Sequence, residues 1–119
     1  MTTLYGLTTC DTCKKARRWL DEAGIAHTFI DLRANPPAIQ TLHVWAAQRG
    51  GAAALVNRAS TTWRQLPEAR KHPAHEAEWM TLLQEFSALI RRPLLVMPGG
   101  RIHQGFNAAH YQTLFGASA

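Results

Sequence analysis

The sequence predicts an α/β fold: a four-stranded mixed sheet with flanking helices, split into a β-α-β half and a β-β-α half by a helical insertion. Three observations predict it. The chain opens on a short apolar run, a polar turn and an amphipathic helix, and a second strand-like run follows around His27-Thr28-Phe29-Ile30-Asp31. It closes on two short extended stretches joined by Pro98-Gly99-Gly100, then a last helix. Between these halves, residues 36–90 read as mostly helical.

Each element has a local cause. Thr3 to Leu7 is apolar enough for a central strand. Asp11 begins a helix reaching about Ala23, where Asp11 and Thr12 suit the positive end and Gly24 suits the stop. Its expected buried face is Cys13, Ala16, Leu20 and Ala23, flanked by Trp19, while Lys14, Lys15, Arg17 and Arg18 crowd the other positions. Strand, helix, strand in this order implies a right-handed crossover and parallel pairing.

Asn35-Pro36-Pro37 breaks the chain, and Pro37 is placed in the first turn of a helix whose stripe is Ile39, Leu42, Trp45 and Ala46. Thr61 or Thr62 is the expected cap of a short helix holding Trp63 and Leu66. One longer helix is expected to carry Trp79, Leu82, Leu83, Phe86, Leu89 and Ile90. Leu94 to Met97 and Arg101 to Gly105 are the paired closing strands. Asn107 caps the last helix, with Phe106 and Tyr111 spaced as a hydrophobic staple.

At 119 residues the chain is one domain, with a real core and a helical insertion at about 36–90. The N-terminus lacks a basic segment followed by a long apolar run, and no apolar run approaches the length of a membrane span. Two cysteines in one local motif are not a secreted disulfide framework, so the expected location is cytoplasmic. A net charge of +5 favours anionic partners, small oxyanions and glutathione included. No recognition helix or aromatic-basic platform points to direct nucleic-acid binding. A monomer is expected.

The chemistry centres on Cys10-Asp11-Thr12-Cys13. Cys10 falls at the strand-to-helix junction and Cys13 in the first helical turn, on the same side. Unpaired first-turn amides carry positive partial charge, and a thiol placed there ionises more readily. At the ordinary pKa only about 3% of a thiol is thiolate at pH 7, whereas a value of about 6.5 makes it roughly three-quarters. Cys10 is therefore read as a redox nucleophile and Cys13 as its resolving partner. Zinc needs four ligands, which only the distant His72 and His75 could complete, at a spacing short of the usual one. Haem attachment needs a histidine where Lys14 stands. Two inert cysteines or a short-loop disulfide remain the bland alternatives.

The order β-α-β, insertion, β-β-α is the thioredoxin-like topology. The chain also resembles the arsenate reductase (ArsC)/Spx family, in its YffB-like branch. Thr3-Leu4-Tyr5-Gly6, the Cys10 to Leu20 segment, Thr61-Thr62-Trp63-Arg64-Gln65-Leu66, Arg91-Arg92-Pro93-Leu94-Leu95 and Gly105-Phe106 carry the resemblance, which spans nearly the whole chain. It implies Cys10 as nucleophile, Arg92 as the arginine holding an oxyanion beside it, and Pro93 as a cis-proline facing the cysteine. A further family arginine lies just before Thr-Thr-Trp; Arg58 is the nearest candidate, one position from the ungapped match at Ala59. Lys14 and Arg64 complete the substrate-binding candidates. Arsenate reductases proper carry an arginine after the glycine of the last strand, where this chain has Phe106.

The expected function is thus a thiol–disulfide oxidoreductase with glutathione as co-substrate and no bound cofactor or metal. Its substrate would be a small oxyanion or disulfide, with a protein redox partner as another option, and arsenate reduction is the narrower version. The alternative is an Spx-like redox-sensing regulator that contacts RNA polymerase.

Overall fold

The structure is a computed structural model, and residues 1–116 are described. Four strands form one sheet: β1 (Thr2–Gly6), β2 (His27–Asp31), β3 (Leu94–Val96) and β4 (Ile102–Gln104), in the order β2-β1-β3-β4. β1 pairs with β2 in parallel and with β3 antiparallel, and β4 lies antiparallel on β3. The mixed sheet is the one expected. Its central strand alternates, burying Thr2, Leu4 and Gly6.

The chain divides into two compact units. The first comprises residues up to Asp31 and from Arg92 onward, and holds the whole sheet. Two helices belong to it, α1 (Asp11–Glu22) and the C-terminal helix (Ala108–Phe115). Its core is Leu4, Ala16, Leu20, Leu95 and Tyr111, with Trp19, Ile25, Phe29, Met97, Phe106, Leu114 and Phe115 packed against it. Each fully buried leucine there contributes about 1.5–3 kcal/mol. α1 buries Cys13, Ala16 and Leu20 as its spacing demands. Ala23, expected on that face, is exposed because the helix has already ended at Glu22. The staple is present: Asn107 Oδ1 accepts the His110 amide at 3.1 Å, and the Phe106 and Tyr111 rings meet edge-on at 4.8 Å.

The second unit, Leu32–Arg91, is helical: α2 (Ile39–Arg49), α3 (Thr61–Arg64) and α4 (Glu76–Glu85), with short 3-10 turns between them. With these numbered, the C-terminal helix is α5. Three local expectations are corrected here. Pro37 precedes α2, whose cap is Ala38 in extended geometry. Ser60, not Thr61 or Thr62, caps α3, its Oγ accepting the Trp63 amide at 3.1 Å. The long helix through Ile90 stops at Glu85, because Phe86 leaves helical geometry (φ −132°, ψ 75°) and Ser87–Leu89 forms a separate turn. That break serves a buried bond: Ser87 Oγ donates to the Leu32 carbonyl at 2.7 Å. Among the described residues no helix is long and apolar enough to cross a membrane.

Candidate active site

The site lies in the first unit, where the C-terminal ends of β1 and β2 meet the start of α1. Leu7 to Cys10 makes a tight turn, the Cys10 amide donating to the Leu7 carbonyl at 3.1 Å. The Thr8 amide donates to Asp31 Oδ2 at 3.0 Å. Cys10 itself is the N-cap residue of α1, in extended geometry. It is half-buried, whereas Cys13 has no exposed surface, and both thiols are free. Cys13 fits beneath the loop because residue 6 is glycine: a Cβ there would overlap the Cys13 sulfur and press within 3.3 Å of the Phe29 ring.

The two thiols are electrostatically unequal. Burial alone would raise the Cys10 thiol. The Cys13 amide, the Cys13 thiol and the Arg92 guanidinium all hydrogen-bond its sulfur, and together they hold it below the ordinary thiol value. Burial pushes the Cys13 thiol up to about 12, and the adjacent Cys10 sulfur adds to the rise; the Leu7 amide and Arg92 offset it only in part. The Cys13 thiol donates to the Cys10 sulfur, and Cys10 is the more acidic of the two. That is an asymmetric pair, one thiol lowered in pKa and the other held protonated by burial.

Arg92 reaches this site from the start of β3. The Arg92–Pro93 peptide bond is cis, as the resemblance implied, and Pro93 is buried. The Pro93 carbonyl accepts the Gly105 amide at 2.8 Å, which ties the segment to the end of β4. Cys10, Cys13, Arg92 and Pro93 thus gather in one unit. Lys14 joins them through its backbone, donating to the Cys10 carbonyl at 3.0 Å, while its side chain is exposed. With Arg17, Arg18, Asp21 and Glu22, Lys14 lines an open cleft of about 400 Å³ on the outer side of α1.

The other two candidates belong to the second unit. The Arg58 guanidinium lies over the Trp63 and Trp79 rings, at 5.8 and 5.1 Å, and those rings stack at 5.9 Å. Arg64 donates to the Ala59 carbonyl at 2.8 Å and to Thr61 Oγ1 at 3.3 Å, bracing the start of α3. The histidines considered for zinc have local acidic neighbours: His72 lies 3.5 Å from Glu68 and His75 3.2 Å from Glu78. Phe106, at the place of the missing arginine, packs into the aromatic core beside Tyr111.

Two residues of the site were not singled out from the sequence. Gly6 carried a usable signal, since a glycine inside a strand often marks a close approach. Asp31 carried none; only the pairing of β2 with β1 brings it to Thr8.

The model of the ArsC family matches residues 5–114. The chain belongs to the ArsC family. Among solved structures it is similar to a YffB protein, 39% identical with a TM-score of 0.86, the match covering 100% of each chain. It is also similar to an arsenate reductase (ArsC) related protein from Brucella melitensis, 35% identical with a TM-score of 0.73, over 96% of this chain and 93% of that one. A more distant relative is the global transcriptional regulator Spx 1 of Bacillus cereus, 22% identical over 90% of this chain and 81% of that protein. Membership of the ArsC family supports a thiol oxidoreductase role, and the fold is the thioredoxin-like one expected.

Proposed function

We propose that this ArsC-family protein is a glutathione-dependent thiol–disulfide oxidoreductase with Cys10 as its nucleophile. One observation carries the reading: the half-buried Cys10 sulfur sits at the start of α1 with the Cys13 amide, the Cys13 thiol and the Arg92 guanidinium all donating to it. The Cys10 thiolate attacks the glutathione sulfur of a mixed disulfide, the old S–S bond breaks, and the substrate thiolate leaves and takes up a proton. A second glutathione thiolate attacks the glutathione sulfur on Cys10, releasing glutathione disulfide and restoring the Cys10 thiolate. Alternatively the Cys13 sulfur attacks the Cys10 sulfur, giving up its proton to the departing glutathione thiolate as the Cys10–glutathione S–S bond breaks. The internal disulfide is then reduced by two glutathione molecules, which leave as glutathione disulfide. Either way two electrons pass from glutathione to the substrate. Phe106, uncharged and packed on Tyr111, favours a disulfide substrate over arsenate.

The test is steady-state reduction of a small glutathione mixed disulfide, with arsenate assayed in parallel. Cys10→Ser is expected to abolish turnover. Full turnover by Cys13→Ser would rule out an obligatory internal disulfide and leave the direct glutathione route. Turnover that survives Cys10→Ser would overturn the proposal.

The likeness to Spx 1 supports a second reading, in which the same thiol pair is a regulatory switch and RNA polymerase is the partner. Retention of RNA polymerase by the oxidised protein, and not by the reduced one, would favour it.

A further inference from the structure

We propose that Asp31 is a positioning residue for the nucleophile: by accepting the Thr8 amide, its carboxylate holds the Leu7–Cys10 turn where the Cys10 sulfur meets Cys13 and Arg92. This inference rests on the reading of Cys10 as the attacking thiolate.

The other hydrogen bonds of the turn are short-range in sequence. Thr8 and Thr9 are exposed, so packing does not hold them. Cys10 is tied to α1 by the Lys14 amide on its carbonyl at 3.0 Å and by the Cys13 amide on its sulfur. Within the turn, one backbone bond joins Cys10 to Leu7. The bond from Thr8 to Asp31 is different in kind, because it crosses 23 residues of sequence and ends on a carboxylate oxygen at 3.0 Å. Charge-assisted bonds of this type are roughly twice as strong as neutral ones. Its anchor is firm: Asp31 is the last residue of β2, paired in register with Gly6, the last residue of β1. The sheet edge and the nucleophile's loop are therefore joined at the level where α1 begins.

The donors on Cys10 are directional, and a hydrogen bond weakens steeply as distance and angle drift. A loop freed from Asp31 lets the sulfur move away from the Cys13 amide and from Arg92. Positioning and direct charge then predict opposite signs. If Asp31 acted only as a nearby negative charge, removing it would make Cys10 more acidic in both Asp31→Ala and Asp31→Asn. If it acts by holding the loop, Asp31→Ala makes Cys10 less acidic. Asp31→Asn, which keeps an oxygen acceptor, stays close to the wild type.

The experiment is pH-dependent alkylation of Cys10 by iodoacetamide, mapped by mass spectrometry, in wild type, Asp31→Asn, Asp31→Ala and Arg92→Ala. The expected result is a Cys10 pKa about one unit higher in Asp31→Ala, which is about tenfold less thiolate below both values, with Asp31→Asn recovering most of it. Superimposed profiles for Asp31→Ala and wild type, a fall in pKa, or an Asn variant that behaves like Ala would each overturn the inference. A loss of thermal stability without a moved profile would reduce Asp31 to a structural role and overturn it as well. Failure of the underlying reading looks different: the wild-type Cys10 pKa itself would be ordinary and unmoved in Arg92→Ala, leaving Asp31 nothing to maintain.

Discussion

Gly6 at the end of β1 and Cys13 in the first turn of α1 share a space that admits no Cβ between them. The buried thiol exists in its present place because the strand beside it ends on a residue without a side chain. Gly6→Ala forces Cys13 or Phe29 to move, and overpacking of this kind costs about 1–3 kcal/mol. Urea unfolding of the reduced protein measures it. Adding Cys13→Ala to the same chain is expected to recover part of the loss, because the two positions couple through contact.

Arg92 is expected to set the acidity of Cys10 by donating to its sulfur and by its charge. Arg92→Ala raises the Cys10 pKa and slows alkylation below the new value. Arg92→Lys keeps a charge but loses the planar fork of donors, so its profile should fall between the two. The alkylation rate between pH 5 and pH 9 (roughly the span of perturbed thiols) reads both effects.

Tyr111 has no exposed surface, and its hydroxyl finds no hydrogen-bond partner among the described residues. Burying that oxygen is a cost without return, while the ring packs against Trp19, Phe106 and Phe115. Tyr111→Phe is therefore expected to be neutral or stabilising, and Tyr111→Ala to cost roughly 3–5 kcal/mol. Denaturant midpoints of the two variants, compared with the wild type, decide it.

His103 on β4 predicts an acid-sensitive stability. Burial, then the His110 ring 5.4 Å away and Arg101, hold its pKa below the ordinary value of 6.5. The unfolded chain thus binds the proton more readily than the folded one. Its contribution is complete above pH about 6.5 and is lost as pH falls through the folded-state value. His103→Gln should flatten the stability profile just below pH about 6.5, as followed by urea midpoints at a series of pH values.

In the second unit, Ser87 Oγ and the Leu32 carbonyl form a buried bond across 55 residues of sequence. Ser87→Ala leaves that carbonyl without this donor, at an expected cost of about 1–3 kcal/mol. Thermal unfolding measures the loss, and Ser87→Thr, which keeps the hydroxyl, should lose less.

Much of the fold was legible because its signals are short-range. The α1 stripe of Cys13, Ala16 and Leu20, the Asn107 cap and the Phe106–Tyr111 staple each depend on residues a few positions apart. Errors gathered where two local solutions compete. Ser60 won the α3 cap over two threonines beside it. The apolar spacing through Ile90 continued past the helix end, because Phe86 to Ile90 stay largely buried in a non-helical turn. At the site, the sequence pattern itself points to Cys10 and Cys13, whereas family resemblance alone points to Arg92 and Pro93.

By itself, then, the sequence determined that a thiol begins an amphipathic helix after a strand, with a second thiol one turn on. Helix periodicity and terminal amides are local properties of consecutive residues. Only the tertiary structure decided that these thiols differ. Burial beneath Gly6 keeps Cys13 protonated, and Arg92, 82 positions after Cys10 in the chain, arrives beside Cys10 through the antiparallel pairing of β3 with β1. Desolvation and charge act through space, and strand register sets which distant residues share that space.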